Sequence, residues 1–176
     1  MLDPARPAPL PATRPAVLVL DRGRRWTLTV LNVGLACCAV EAMVAALEPG
    51  GGRVPHAGAE RDAQVLLVSG TVTAKLGPLV QALHASLPTP VKVLAFGACA
   101  SSGGPYWDSY SVVAGVDRLL PVDLYVPGCP PRPQALLDAL DALSDGAPAG
   151  TVVGGALVSP TGGAVGPADL RARPVP

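Results

Sequence analysis

Short, uniformly apolar runs separated by helix-like runs constrain this chain more than any other feature. Residues 16–20 (AVLVL), 26–33, 65–69 (VLLVS), 91–96 (VKVLAF) and 122–126 (VDLYV) are rich in Val, Leu and Thr, so each is expected to form a strand. Helical runs fall at 37–47, near 76–87, and from the Pro131-Arg132-Pro133 opening to about 143. The breakers Pro49-Gly50-Gly51-Gly52 and Pro88-Thr89-Pro90 close the first two. Strands without polar alternation need cover on both faces, a property of parallel sheets. The alternation therefore predicts an α/β domain: an open parallel sheet with helices on both faces. The domain is expected over 16–146. Residues 1–15, with five prolines, read as a flexible arm, and 147–176 as a Gly/Pro-rich tail with a candidate edge strand at 151–158. Arg22-Gly23-Arg24-Arg25 reads as a turn, 49–62 as a loop, and 100–111 as a Gly/Ser/Tyr loop followed by a short helical turn.

Composition removes several classes of function. A chain of 176 residues with 49% hydrophobic residues has ample material for one core. Its 13 basic and 13 acidic residues balance, and aromatics make up 3%, so neither the charge nor the stacking platform for nucleic acid is present. No nucleic-acid partner is expected. The longest apolar run, 33–47, contains Glu41 and falls short of the ~20 residues that span a bilayer, so it reads as a core helix. The arm has no apolar h-region, which points to a cytosolic protein or one peripheral on a membrane complex.

Without an export signal, four cysteines argue for metal or redox chemistry rather than a disulfide frame. Cys37 and Cys38 are adjacent and open a helical run. Cys99 lies in Phe96-Gly97-Ala98-Cys99-Ala100-Ser101-Ser102-Gly103-Gly104, and Cys129 in Val126-Pro127-Gly128-Cys129-Pro130-Pro131. Burial as small hydrophobes does not call for glycine and proline beside each thiol. Each site falls just past the carboxyl end of a proposed strand. In an open parallel sheet those ends share one edge, with the ligand crevice outside it. The four can therefore converge from distant positions. Tetrathiolate sites suit zinc or an iron–sulfur cluster. Structural zinc usually takes close pairs such as C-x₂-C, whereas a cubane takes one thiolate per iron from several loops, so the spacing favours the cluster. The helix start at Cys37 and Cys38 stabilises thiolate charge, and Gly97, Gly103, Gly104 and Gly128 would admit backbone N–H groups to sulfur. A Cys37–Cys38 disulfide switch would be strained and leaves the other two thiols unexplained.

Four blocks carry a family resemblance. They are Gly34-Leu35-Ala36-Cys37-Cys38-Ala39-Val40-Glu41, Ser69-Gly70-Thr71-Val72-Thr73-Ala74-Lys75, Gly97-Ala98-Cys99-Ala100, and the run from Pro121 to Pro131 (PVDLYVPGCPP). Over about 26–143 the chain resembles the B subunit of respiratory complex I (the 20 kDa, PSST-type family), related to the small subunits of nickel–iron hydrogenases. The adjacent cysteine pair favours the complex I side. The resemblance implies a flavodoxin-like fold with the cluster loops at the carboxyl edge of the sheet. It implies one [4Fe–4S] cluster on Cys37, Cys38, Cys99 and Cys129, the terminal cluster of a membrane-associated NADH–quinone oxidoreductase, passing electrons to quinone. Implied partners are a large hydrogenase-like subunit (49 kDa, D type), other iron–sulfur and membrane subunits, and quinone at a shared pocket. The implied location is peripheral, on the cytoplasmic face of the cell membrane. Glu41 matches a family carboxylate near the cluster; it either couples protonation to reduction or is an acid favoured by the helix dipole. The family's segment after this helix is longer and richer in His, Arg, Tyr and Phe than residues 45–62, where His56-Ala57-Gly58-Ala59 stands as a remnant. Pro105-Tyr106-Trp107-Asp108 also departs from the family's loop. Two alternatives stay open: the small subunit of a membrane-bound nickel–iron hydrogenase-type complex, and a zinc-binding scaffold protein.

Other residues carry weaker signals. His56 and His84 each lack a second ligand at helical spacing, which leaves His84 as a helix residue facing solvent or core. Arg132 either raises the local positive potential, pairs with a partner, or simply starts a helix. Tyr106, Trp107, Tyr110 and Tyr125 flank the third and fourth cysteines, as shields or as core. Lys75 lacks the G-x-x-x-x-G-K-[ST] spacing of a phosphate loop, and no strand leads into G-x-G-x-x-G, so nucleotide binding is rejected.

Overall fold

The computed structural model describes residues 16–21, 25–32, 37–45, 47, 51–53 and 63–154. In chain order the elements are β1 (Ala16–Asp21), β2 (Arg25–Asn32), α1 (Cys37–Ala45), β3 (Gly51–Arg53), β4 (Ala63–Ser69), α2 (Gly77–Ser86), β5 (Val91–Phe96), α3 (Ala98–Ser102), β6 (Leu124–Val126), α4 (Pro133–Ser144) and β7 (Thr151–Val152). They build a seven-stranded sheet of order β3-β1-β2-β4-β5-β6-β7. From β2 to β7 every pairing is parallel. The fold is thus an open α/β sheet of the flavodoxin-like class.

The core explains why β4 and β5 read as unbroken apolar runs. Val65, Leu67, Leu94, Phe96, Leu124 and Val126 face one side, against Cys38, Ala42 and Ala45 of α1 and Leu136, Leu137, Leu140 and Leu143 of α4. Leu66, Val68, Val93, Ala95 and Tyr125 face the other, against Val80 of α2, Ala100 of α3 and the Val116–Val122 region. Both faces are buried, so the period-2 alternation of a half-exposed strand is lost. Small residues on the buried side of α1 let that helix lie close to the sheet. In α4, proline occupies the first turn, where its missing N–H costs nothing, and the apolar residues recur at helical spacing. Its end is closed by Gly146 (φ +79°), whose N–H donates to the Leu143 carbonyl.

The structure departs from the sequence expectation in three places. First, β1 is antiparallel to β2, in register from Ala16 opposite Val30 to Asp21 opposite Arg25. The connection at 22–24 is too short for the crossover, a dozen or more residues long, that parallel strands need. Second, the expected loop 49–62 contains β3, whose Gly51, Gly52 and Arg53 pair with Leu20, Val19 and Leu18. Pairing of this kind runs through the backbone, so a glycine-rich strand leaves no side-chain pattern to read. Third, the expected loop 100–111 begins inside helix α3 (Ala98–Ser102), which carries Cys99 itself, and includes a 3₁₀ turn at Gly104–Tyr106. The arm 1–15, the turn residues 22–24, His56 and the tail from 155 onward lie outside the described residues. No helix among the described residues is long and apolar enough to cross a membrane.

Asp123 ties the strand edge together. Its carboxylate accepts from the Val93 N–H at 2.8 Å and from Lys92 Nζ at 2.8 Å, while its own N–H donates to the Val93 carbonyl. The lysine is 48% exposed, so that ion pair adds little. The Val93 N–H is part-buried, and leaving it unmet costs about 1–3 kcal/mol. Asp123→Ala is therefore expected to lower stability by about that amount, and Lys92→Ala by no more than about 1 kcal/mol. Denaturant unfolding of the two variants measures the difference.

Candidate metal centre

Parallel pairing brings the ends of β2, β5 and β6 to one edge of the sheet. The chain leaves β5 at Phe96 and reaches Cys99 in α3; it leaves β6 at Val126 and reaches Cys129; and α1, which begins at Cys37, follows β2. Cys37 and Cys38 are the first two residues of α1, where backbone N–H groups have no intrahelical acceptor. All four cysteines carry free thiols; Cys37 and Cys129 are exposed, Cys99 half-buried and Cys38 buried.

The thiols lie close enough to feel one another's charge. Burial first pushes the Cys38 thiol up from 9.0 to about 12, with the charge and hydrogen bond of Cys37 next, then Cys99 and Cys129. Cys129 is raised as well, by burial, then by Cys99 and Cys37. Neighbouring thiols, one of them buried, that would crowd negative charge on ionising favour a cationic guest that replaces their protons. Among the described residues, no three His, Cys, Asp or Glu side chains form a group that could hold a single metal ion.

Glycines give this edge its shape. A Cβ on Gly97 (φ +95°) would overlap Cys38 Sγ and stand 3.6 Å from the Gly128 carbonyl oxygen. A Cβ on Gly104 (φ +55°) would stand 2.9 Å from Cys99 Sγ. The expectation that Gly97 and Gly103 lend N–H groups to sulfur needs correction: the Gly97 N–H donates to the Val126 carbonyl at 2.8 Å and the Gly103 N–H to the Cys99 carbonyl at 3.0 Å. What Gly97 gives the sulfur is room. It also links the segments, since the Ala98 N–H donates to the Gly128 carbonyl at 2.7 Å and the Ser101 N–H to the Gly97 carbonyl at 3.0 Å.

The weaker candidates separate. Tyr125 is fully buried in the core, whereas Tyr106, Trp107 and Tyr110 are exposed. Glu41 lies beyond the first turn of α1, half-buried, so the reading of it as a first-turn acid does not hold. His84 is a half-buried residue in the last turn of α2. Arg132 is the exposed N-cap of α4, and Lys75 is exposed. Ser69, at the carboxyl end of β4, opens one of the four resemblance blocks; its burial and unmet hydroxyl emerge only once the sheet is known.

Fold and site together define an open α/β domain that gathers four thiols at the carboxyl edge of its sheet. The sequence profile of the NADH ubiquinone oxidoreductase 20 kDa subunit family matches residues 27–143. The second NADH-quinone oxidoreductase B subunit of Streptomyces griseus is 50% identical over 138 residues, 76% of this chain and 59% of that protein. The first such B subunit of Salinispora tropica is 50% identical over 135 residues, 74% of this chain and 72% of that protein. The chain therefore spans about three fifths of the Streptomyces relative and about three quarters of the Salinispora one. A chain in the structure of the membrane-bound sulfane sulfur reductase, an archaeal respiratory membrane complex, is 28% identical with a TM-score of 0.53, covering 68% of each chain. This chain belongs to the 20 kDa subunit family of NADH:ubiquinone oxidoreductase, whose bacterial relatives are named as B subunits.

Proposed function

We propose that the chain is the electron-transfer subunit of a membrane-associated NADH–quinone oxidoreductase, holding one [4Fe–4S] cluster on Cys37, Cys38, Cys99 and Cys129. The observation that carries this reading is the convergence of those four thiols from α1, α3 and the loop after β6 onto one sheet edge. A single zinc ion needs every sulfur about 2.3 Å from one point. A cubane takes each thiolate on a different iron, which suits cysteines that arrive from three separate segments of the chain. Once bound, such a cluster supplies one-electron storage and transfer.

The chain's own residues do the rest. Cys38 anchors the site from the core, and exposed Cys37 and Cys129 bring it to the surface, where an electron partner can approach. Glycines 97 and 104 leave room for the sulfurs of Cys38 and Cys99. The names of the relatives support a place within a multi-subunit NADH–quinone oxidoreductase. The family resemblance given above extends this to a large hydrogenase-like subunit of the D type and other iron–sulfur and membrane subunits as neighbours, with quinone at a shared pocket. On this reading the protein sits peripherally on the cytoplasmic face of the cell membrane.

A second reading differs in the acceptor alone. The likeness to a chain of an archaeal sulfane sulfur reductase complex favours it, as does the short, glycine-rich 45–62 segment. The test is turnover by the purified complex. NADH-dependent quinone reduction that disappears in Cys129→Ser supports the first reading. Hydrogen- or sulfur-linked turnover without quinone reduction supports the second.

A further inference from the structure

A polar side chain lies behind the cysteines, within the core. Ser69 is 0% exposed, and its hydroxyl has no hydrogen-bond partner. Side chains alternate along a strand, so Ser69 follows Val65 and Leu67 onto the face that packs against α1 and includes Cys38. Its register places it at the cysteine edge: it lies opposite Phe96 of β5, immediately before Gly97, and opposite Asn32, the last residue of β2. Gly97 in turn is the residue pressed against Cys38 Sγ. A buried hydroxyl is normally satisfied, and an unmet one costs about 1–3 kcal/mol. The described core residues on this face, Cys38 apart, are apolar, and no cysteine sulfur is a hydrogen-bond partner of the hydroxyl, so an acceptor on the cysteine side has to arrive with the guest.

We propose that Ser69 donates its hydroxyl hydrogen to a sulfide of the cluster held by the four cysteines and thereby tunes its reduction potential. The proposal rests on the cluster reading given above. A hydrogen bond to sulfur favours the reduced, more negative state and raises the potential. Ser69 is a tuning residue rather than a ligand, so its removal leaves the four thiols in place.

The experiment is a redox titration, followed by low-temperature EPR, of the purified complex carrying Ser69→Ala. Iron and sulfide per complex are measured first. They should equal the wild-type values, while the midpoint falls by about tenfold in the reduction equilibrium, ~59 mV for one electron. Gln64→Met serves as the control. Gln64 is buried with an unmet Nε2, but sits at the opposite end of the same strand and on its other face. Its midpoint should match wild type. An unchanged midpoint in Ser69→Ala overturns the proposal, as does an equal shift in Gln64→Met. A wild-type complex with no iron or sulfide assignable to this chain overturns the cluster reading itself, and that is known before the serine is tested.

Discussion

Gly97→Ala is expected to abolish the four-cysteine centre. At φ +95° and ψ 161° the backbone lies in a region that side chains rarely adopt, and alanine there costs about 1–3 kcal/mol in strain alone. The added methyl would overlap Cys38 Sγ and stand 3.4 Å from Cys38 Cβ. Cys38 cannot swing outward, because it is 1% exposed and packed among the α1–α4 core residues. Overpacking adds about 1–3 kcal/mol, and the relief available is to displace the Cys38 sulfur. Gly97 also accepts from Ser101 and donates to Val126, so the displacement would be felt in the Cys99 and Cys129 segments. Iron and sulfide in the purified complex should drop by a full cluster. Gly146→Ala separates strain from contact: its φ is +79°, yet nothing lies within 4 Å of the added atom. That variant should lose some stability and keep its full metal content. A Gly97→Ala complex with wild-type iron and an unchanged EPR signal would show that the glycine's contact with Cys38 does not matter.

Cys38→Ser should have an effect of similar size with much less damage to the fold. Serine nearly matches the thiol in volume, so the packing against α1 and α4 survives, but its oxygen is a poor substitute for a soft thiolate on iron. The expected result is loss of the cluster signal, with a modest change in unfolding midpoint once the metal is removed from both proteins. Acidity adds a second signature in the metal-free chain. The Cys38 thiol is raised from 9.0 to about 12, so between those values the native state holds a proton that the unfolded state releases. Stability from this group is intact below about pH 9 and declines as pH rises towards 12. Cys38→Ser should flatten that decline, which thermal unfolding across the alkaline range would measure. A variant with the wild-type alkaline slope would show that another group titrates there.

Much of this architecture was legible because the physics is local. The runs VLLVS and VKVLAF are apolar on both faces, which points to strands buried between helices, and β4 and β5 are those strands. Proline at the start of α4 and glycine after its end marked that helix to within a residue or two. The cysteines could be placed together because parallel strands share a carboxyl edge. Three things were hidden. The direction of β1 depends on the length of a turn, not on the strand's own pattern. Strand β3 is held by backbone pairing through glycines and so has no hydrophobic signature. The role of Gly97 as a spacer against Cys38 depends on two segments about sixty positions apart meeting at van der Waals range, which no local pattern reports. Ser69 belongs in part to the same group: it opens a resemblance block, but its burial and unmet hydroxyl depend on its neighbours across the sheet.

Whether the four cysteines hold a cluster is decided by metal and sulfide analysis of the anaerobically purified complex, paired with EPR before and after reduction. About four irons and four sulfides assignable to this chain are expected, with a reducible signal that is absent when Cys38 is serine. One zinc ion per chain, with no acid-labile sulfide and no reducible signal, would contradict it and leave a structural metal protein in its place.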